Sequence, residues 1–256
     1  MYHGCTILAA GEHLRALIVS DVHSNIEAFQ SVIAHANDME GFDQIWSLGD
    51  LVGYGPDPIA CIDLLQEYDH VAVAGNHDLA AVGKIGLQKF NMHAAAAARW
   101  TTTQLTSDHV DFLGQMPIRL EVHDFTLVHG SPRDPVWEYV ITAAAAAASF
   151  SRFDTKRCLV GHSHIPFLCT PDGESAQFFD FPIDLPVRLR DAQLIINPGS
   201  VGQPRDGLPT ASYAIFDSEE QTITHYRAEY DVASTQERMT KHNLPQYLIN
   251  RLARGR

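Results

Sequence analysis

Apolar positions in this chain come in short runs that stop abruptly at polar or turn-forming residues. ALIVS 16–20, QIWSLG 44–49, VAVAG 71–75, FTLVHG 125–130 and RCLVG 157–161 have the length and composition of buried strands. Between the first three runs, NIEAFQSVIAHAND 25–38 and DPIACIDLLQEY 57–68 carry helical spacing. The alternation predicts parallel strands joined by right-handed crossovers. After residue 175 the texture changes. SAQFFDF, PVRLR, QLIINPG, ASYAIFD and TITHYRAEY predict a second, more antiparallel sheet. The tail from Asp231 to Arg256 predicts one or two helices, interrupted at Leu244-Pro245. Alanine runs at 94–98 and 143–148 predict helices too. The first continues into RWTTTQL and SDHVDFLGQMP as a helical pair, whereas the second has little to bury. Without a repeat or a linker-like stretch, the expected organisation is one domain over residues 1–256.

Composition narrows the function. A chain of 256 residues can bury a substantial core. Its formal charge of −13 argues against an extended nucleic-acid surface, which needs clustered Lys and Arg. A small phosphorylated substrate stays open, because bound cations invert the local charge. The four cysteines, Cys5, Cys61, Cys158 and Cys169, form no close-spaced pair. Cys61 and Cys158 sit in apolar segments and read as small buried side chains. This usage fits a reducing cytoplasm. The opening MYHGCTILAAGEH lacks the basic start of a signal peptide, and no segment reaches the length of a membrane span.

The strand ends carry the chemistry. ALIVS leads into Asp21 and His23, QIWSLG into Asp50, and VAVAG into Asn76, His77 and Asp78. FTLV leads into His129, and RCLVG into His162 and His164. An Asn or Asp after one strand is commonly a turn or cap residue. Five such endings share no local explanation, and sites in α/β sheets form beyond the carboxyl ends of strands. Carboxylates, an amide oxygen and imidazoles without thiolate suit Mn²⁺, Fe²⁺ or Zn²⁺. Seven ligand-type residues are too many for one ion. A shared carboxylate would hold two ions roughly 3.5–4 Å apart, a spacing suited to displacement at phosphorus.

The motifs SDVHSN, GDLVGYG, GNHD, VHG and GHSH, in this order, resemble those of the calcineurin-like metallophosphoesterase superfamily over residues 16–206. GYGPDP, HGSPRDP and NPGSVGQPRDG are similar to its small bacterial phosphodiesterase-type branch. The resemblance implies an α/β fold, a four-layer αββα sandwich of two mixed β-sheets flanked by helices. It implies two divalent metal ions, Mn first, with Fe, Zn or Ni as alternatives. Asp21, His23 and His164 would hold the first, Asn76, His129 and His162 the second, and Asp50 would bridge them. His77 would act on substrate oxygens or the leaving group, with Asp78 orienting it. A hydroxide bridging the metals would attack a phosphodiester. Protein Ser/Thr phosphatases and dinucleoside-tetraphosphatases in the superfamily carry an Arg in a GDxxDRG pattern, and here the stretch is GDLVGYG. The missing Arg counts against those relatives, and a phosphomonoesterase or protein Ser/Thr phosphatase stands as the alternative. A non-catalytic scaffold would be expected to lose part of the constellation, which this chain keeps.

Other residues have two readings each. Asn25 could bond a phosphate or cap a helix. Arg133 and Arg205 could bind phosphate oxygens or make structural ion pairs. Tyr54 could line the pocket or pack in its turn, and His93 is open.

Overall fold

The computed structural model describes residues 13–256. The expectations for the first residues, the absence of a signal peptide among them, lie outside this range, as do His3 and Cys5. In chain order the elements begin β1 (Arg15–Val19), α1 (Ile26–Asp38), β2 (Gln44–Ser47), α2 (Pro58–Gln66) and β3 (His70–Ala72). Three helices follow, α3 (Asn76–Ala81), α4 (Met92–Gln104) and α5 (Ser107–Gln115). Then come β4 (Arg119–Val122), β5 (Phe125–Val128), α6 (Ala143–Phe150) and β6 (Arg157–Leu159). The remaining strands are β7 (Phe167–Asp172), β8 (Ser175–Phe179), β9 (Pro186–Arg188), β10 (Leu194–Asn197), β11 (Ala211–Asp217) and β12 (Thr222–Ala228). The chain closes with α7 (Val232–Lys241) and α8 (Gln246–Leu252).

Among the described residues the strands form two mixed sheets, ordered β3-β2-β1-β11-β12-β9 and β4-β5-β6-β10-β7-β8. The expected parallel set is present: β1 pairs with β2, and β2 with β3. β5, β6 and β10 form a parallel set in the other sheet. The later strands do not build a sheet of their own, contrary to the pattern expected after residue 175. β11 runs antiparallel against β1 and extends the first sheet through β12 and β9. β8 and β10 enter the second sheet beside β7, a strand the periodicity did not single out.

The side-chain alternation of the strands explains the layering. Ala16 and Ile18 of β1 join Trp46, Phe125, Leu127, Leu159 and Ile196 in one cluster between the sheets. Leu17 and Val19, one residue out of step, pack instead with Phe29 and Val32 of α1. On the far side, Cys158, Cys169 and Ile195 meet Ala146 and Phe150 of α6. The layers are thus helices, sheet, sheet, helix, as a sandwich with apolar residues on both faces of each sheet requires. Cys61 and Cys158 are buried as expected, and Cys169 with them. Both alanine runs lie in helices: α4 buries Ala94, Ala95, Ala97 and Ala98, which lets it approach closely, and α6 buries Ala146 against the second sheet. Asn243 at φ 55° and the following Leu244-Pro245 separate α7 from α8. No helix among the described residues is long and apolar enough to cross a membrane.

Candidate metal centre

Where β1, β2, β3, β5 and β6 end, the chain turns sharply and its polar side chains converge. The turns are tight. Asp21, His23, Asp50, Tyr54, His162 and His164 all have φ between 50° and 64°. Non-glycine residues visit this region sparingly, and clusters of them mark sites where the surrounding fold imposes the conformation. Two glycines clear the space. A Cβ on Gly75 would lie 2.1 Å from Asp50 Oδ1, and one on Gly53 would lie 2.4 Å from His77 Nδ1.

Two groups result. Asp21 Oδ1 lies 3.2 Å from His164 Nε2 and 3.7 Å from His23 Nε2, and those two nitrogens are 3.2 Å apart. His129 Nε2 lies 3.2 Å from Asn76 Oδ1, 3.1 Å from His162 Nδ1 and 3.3 Å from Asp50 Oδ2. The same Asp50 Oδ2 is 3.7 Å from His23 Nε2, so one oxygen stands between the groups. All seven side chains are buried.

The opposite ring nitrogens fix how the imidazoles present themselves. His23 Nδ1 bonds Val52 O at 3.2 Å, His129 Nδ1 bonds Leu48 O at 2.9 Å, and His164 Nδ1 bonds Gln203 O at 2.6 Å. A carbonyl only accepts, so each Nδ1 carries a proton, and in the neutral ring each Nε2 turns a lone pair inward. His162 is reversed: Nδ1 faces His129, and its buried Nε2 has no partner. Asp21 Oδ1 is also buried without a partner, while Oδ2 accepts from Ser20 Oγ and the His162 backbone N–H. Acceptors thus face acceptors at hydrogen-bond distance. In a dry site that arrangement is repulsive unless a cation lies among them. Backbone carbonyls behind metal-bound imidazoles are the usual orienting partners. The residues fit divalent cations.

Electrostatics agree. Against burial, the neighbouring histidines, His164 first, hold the Asp21 carboxyl below its usual range. Asp50 is likewise held low, chiefly by His129. Burial lowers His162 to about 3 and His77 to about 4, keeping both imidazoles neutral. His129 differs: burial would lower it, but the Asp50 carboxylate outweighs burial and raises that imidazole to about 9, so without a cation its Nε2 holds a proton toward Asp50 Oδ2, which a bound cation would displace.

The flanking residues separate. His77, at the start of α3, lies between Tyr54 and Phe90, with ring centroids 4.3 and 4.9 Å away. Its ring nitrogen also comes within ligand distance of His23 and Asp50. Asp78 does not orient that ring as expected. Its oxygens accept from the Val52 and Gly75 backbone N–H groups, at 3.0 and 2.9 Å, and His77 Nδ1 has no partner. Asp78 therefore ties the loop after β2 to the start of α3. Burial, with Asp50 nearby, pushes its carboxyl up to about 7.

Of its two readings, Asn25 shows the helix cap. Its Oδ1 caps α1 by accepting from Ala28 N and also accepts from Thr235 Oγ1, and its Nδ2 donates to Gly202 O. Arg133 is held by a two-pronged pair with Glu138 and does not line the cavity over the centre. Arg205 does line it, with Nη2 3.1 Å from Gln203 Oε1. Tyr54 lines it too, and His93 instead stacks on Tyr247 at 4.9 Å. The cavity has a volume of about 110 Å³. Among the walls that sequence reasoning missed are Lys89, Phe90, Trp137 and Tyr139. Tyr139 stacks on His162 with centroids 3.9 Å apart, yet is 43% exposed. The one signal for these residues was aromatic side chains in otherwise polar loops, in QKFNMH and DPVWEYV.

Comparison with known proteins agrees with the motifs. The model of the calcineurin-like phosphoesterase superfamily domain matches residues 14–221. An uncharacterized protein of Methanocaldococcus jannaschii is 37% identical over 251 residues, covering 93% of this chain and 97% of that one. A symmetrical bis(5′-nucleosyl)-tetraphosphatase of Glaesserella parasuis is 27% identical over 175 residues, 62% of this chain and 57% of that enzyme. The crystal structure of a metallophosphoesterase from Sphaerobacter thermophilus superposes with TM-score 0.87 at 43% identity, covering 96% of this chain and 100% of that one. The chain belongs to the calcineurin-like phosphoesterase superfamily.

Proposed function

We propose that this protein is a dinuclear metal-dependent phosphoesterase that hydrolyses small phosphodiesters. Asp21, His23 and His164 would hold one divalent cation and Asn76, His129 and His162 the other, with Asp50 between them. The observation that carries this reading is the position of Asp50 Oδ2, within 3.7 Å of a ring nitrogen in each group. Two cations there would acidify a water as nucleophile and offset phosphoryl charge. Mn²⁺ suits the mixed oxygen and imidazole set, with Fe, Zn and Ni as alternatives. His77 offers a ring N–H to a substrate or leaving-group oxygen. Arg205 and Tyr54 line the approach and orient the ester, with the aromatic Tyr139 over His162. The buried cysteines fit action in a reducing cytoplasm.

The diester preference rests on charge. GDLVGYG lacks the guanidinium that phosphatase relatives offer to a dianion, and a diester brings one negative charge where a monoester brings about two. Arg205 and Lys89 at the cavity favour a second reading, in which monoesters are also taken. A panel of kcat/KM values with Mn²⁺ tests both, pairing an aryl phosphodiester with its monoester and a phosphopeptide. The diester should lead. A lead for the monoester would install the second reading, and a lead for the phosphopeptide would make this a protein phosphatase.

A further inference from the structure

We propose that the rim of the sandwich remote from the metal centre binds a small phosphorylated molecule carrying a planar ring, of nucleotide size. β5 and β6 point their final residues at the metal centre through His129 and His162. Their first residues, Phe125 and Arg157, line a second cavity of about 530 Å³. The two sites are roughly 13 Å apart along β5 at about 3.3 Å per residue. The second cavity has the volume typical of small-molecule sites, roughly 300–1,000 Å³.

Its charge runs against that of the chain. Lys156, Arg157, Arg188 and Arg190 line it against two carboxylates, Asp124 and Asp191, in a protein of net charge −13. The carboxylates are engaged by the first two cations. Lys156 Nζ lies 2.8 Å from Asp191, and Arg157 Nη1 lies 2.8 Å from Asp124. Arg188 and Arg190 have no ion-pair partner among the described residues and remain available.

Arg157 anchors this wall. Its side chain is 5% exposed, with Nη1 bonded to Asp124 and Nη2 to the Arg190 carbonyl, so it holds the backbone of Arg190 at the cavity. The unpaired guanidiniums of Arg188 and Arg190 are then the donors an oxyanion would meet, in the pairing a guanidinium forms most strongly. The flat surface is His123, exposed at the cavity and stacked on Trp46 with ring centroids 6.1 Å apart, and Phe125 and Phe216 back it from the core. An inorganic anion alone would leave that surface and most of the volume unused. A phosphate with a planar ring uses both.

Trp46 provides a reporter, packed against Phe125 at 5.3 Å and Phe216 at 5.9 Å. The full-length Mn²⁺-loaded protein carrying Trp100→Phe and Trp137→Phe keeps it as the single tryptophan of three. Titration with the α,β-methylene analogue of ADP should change its fluorescence saturably. Arg188→Ser combined with Arg190→Ser should weaken that affinity at least about tenfold, with aryl-diester turnover unchanged. The signal should persist in Asp50→Asn, which damages the metal centre. Its disappearance there, or a change below about twofold in the arginine double variant, would overturn the assignment. Equal affinity for adenosine would remove the phosphate from it, and equal affinity for pyrophosphate would remove the ring.

Discussion

Three imidazoles at the centre, His23, His129 and His164, are committed to a backbone carbonyl at one nitrogen, and that commitment decides what replacement does. His129 is bonded to Leu48 O and faces Asn76, His162 and Asp50 with the other nitrogen. His77 has no such backing, since its Nδ1 is unpartnered. His77→Ala should therefore keep both metals, measured by elemental analysis, while turnover falls about 10²–10⁴-fold, the usual range for a proton-transferring group. Metal loss in that variant would make His77 a ligand, a role its distance to His23 and Asp50 also permits. Asp50→Asn should lose metal and activity together. The proposed ligands were legible because each lies in the turn just after an apolar run. The roles of Asn25 and Asp78 were not, because they depend on partners that local sequence does not reveal. Asn25 is fixed by Gly202 and Thr235, which lie 177 and 210 positions away, and Asp78 spends both oxygens on backbone.

At the level of elements, the first sheet's parallel core could be read directly, because β1, β2 and β3 are separated by helices of ordinary length. The destination of β11 could not. It is buried on both faces and pairs with β1 across some 200 residues, so no local pattern tells which sheet it enters. β7 was hidden by its own ending, where Pro171 and Asp172 run into a turn at Gly173 with φ 58°. The start of α1 depends on Asn25, whose amide also ties the loop at Gly202 to α7 through Thr235. Asn25→Ala should cost about 1–2 kcal/mol, the upper part of the range for a helix cap. Thermal unfolding would register this as a lower midpoint. The metal content per folded molecule should stay unchanged, since Asn25 touches no ligand, and a loss of metal would return it to the site.

Across the whole molecule, the proposed ligands are divided between the two sheets. Asp21, His23, Asp50 and Asn76 follow strands of the first, whereas His129, His162 and His164 follow strands of the second. Cations that bind this arrangement and not the unfolded chain add stability by mass action, about 2.7 kcal/mol per site at a hundredfold excess over Kd. Mn²⁺ should raise the unfolding midpoint of the wild type and leave that of Asp50→Asn where it was. An equal rise in both would mean that the ion acts elsewhere. The apolar layer between the sheets is complete without any ion, from Ala16 to Ile196. None of the centre's residues belongs to that layer, and at its edge Nε2 of His23 and of His164 stand 3.2 Å apart. Assembly then resembles the setting of a spring-loaded latch. The core's apolar burial brings like against like at one edge, and a cation bound there would release that opposition.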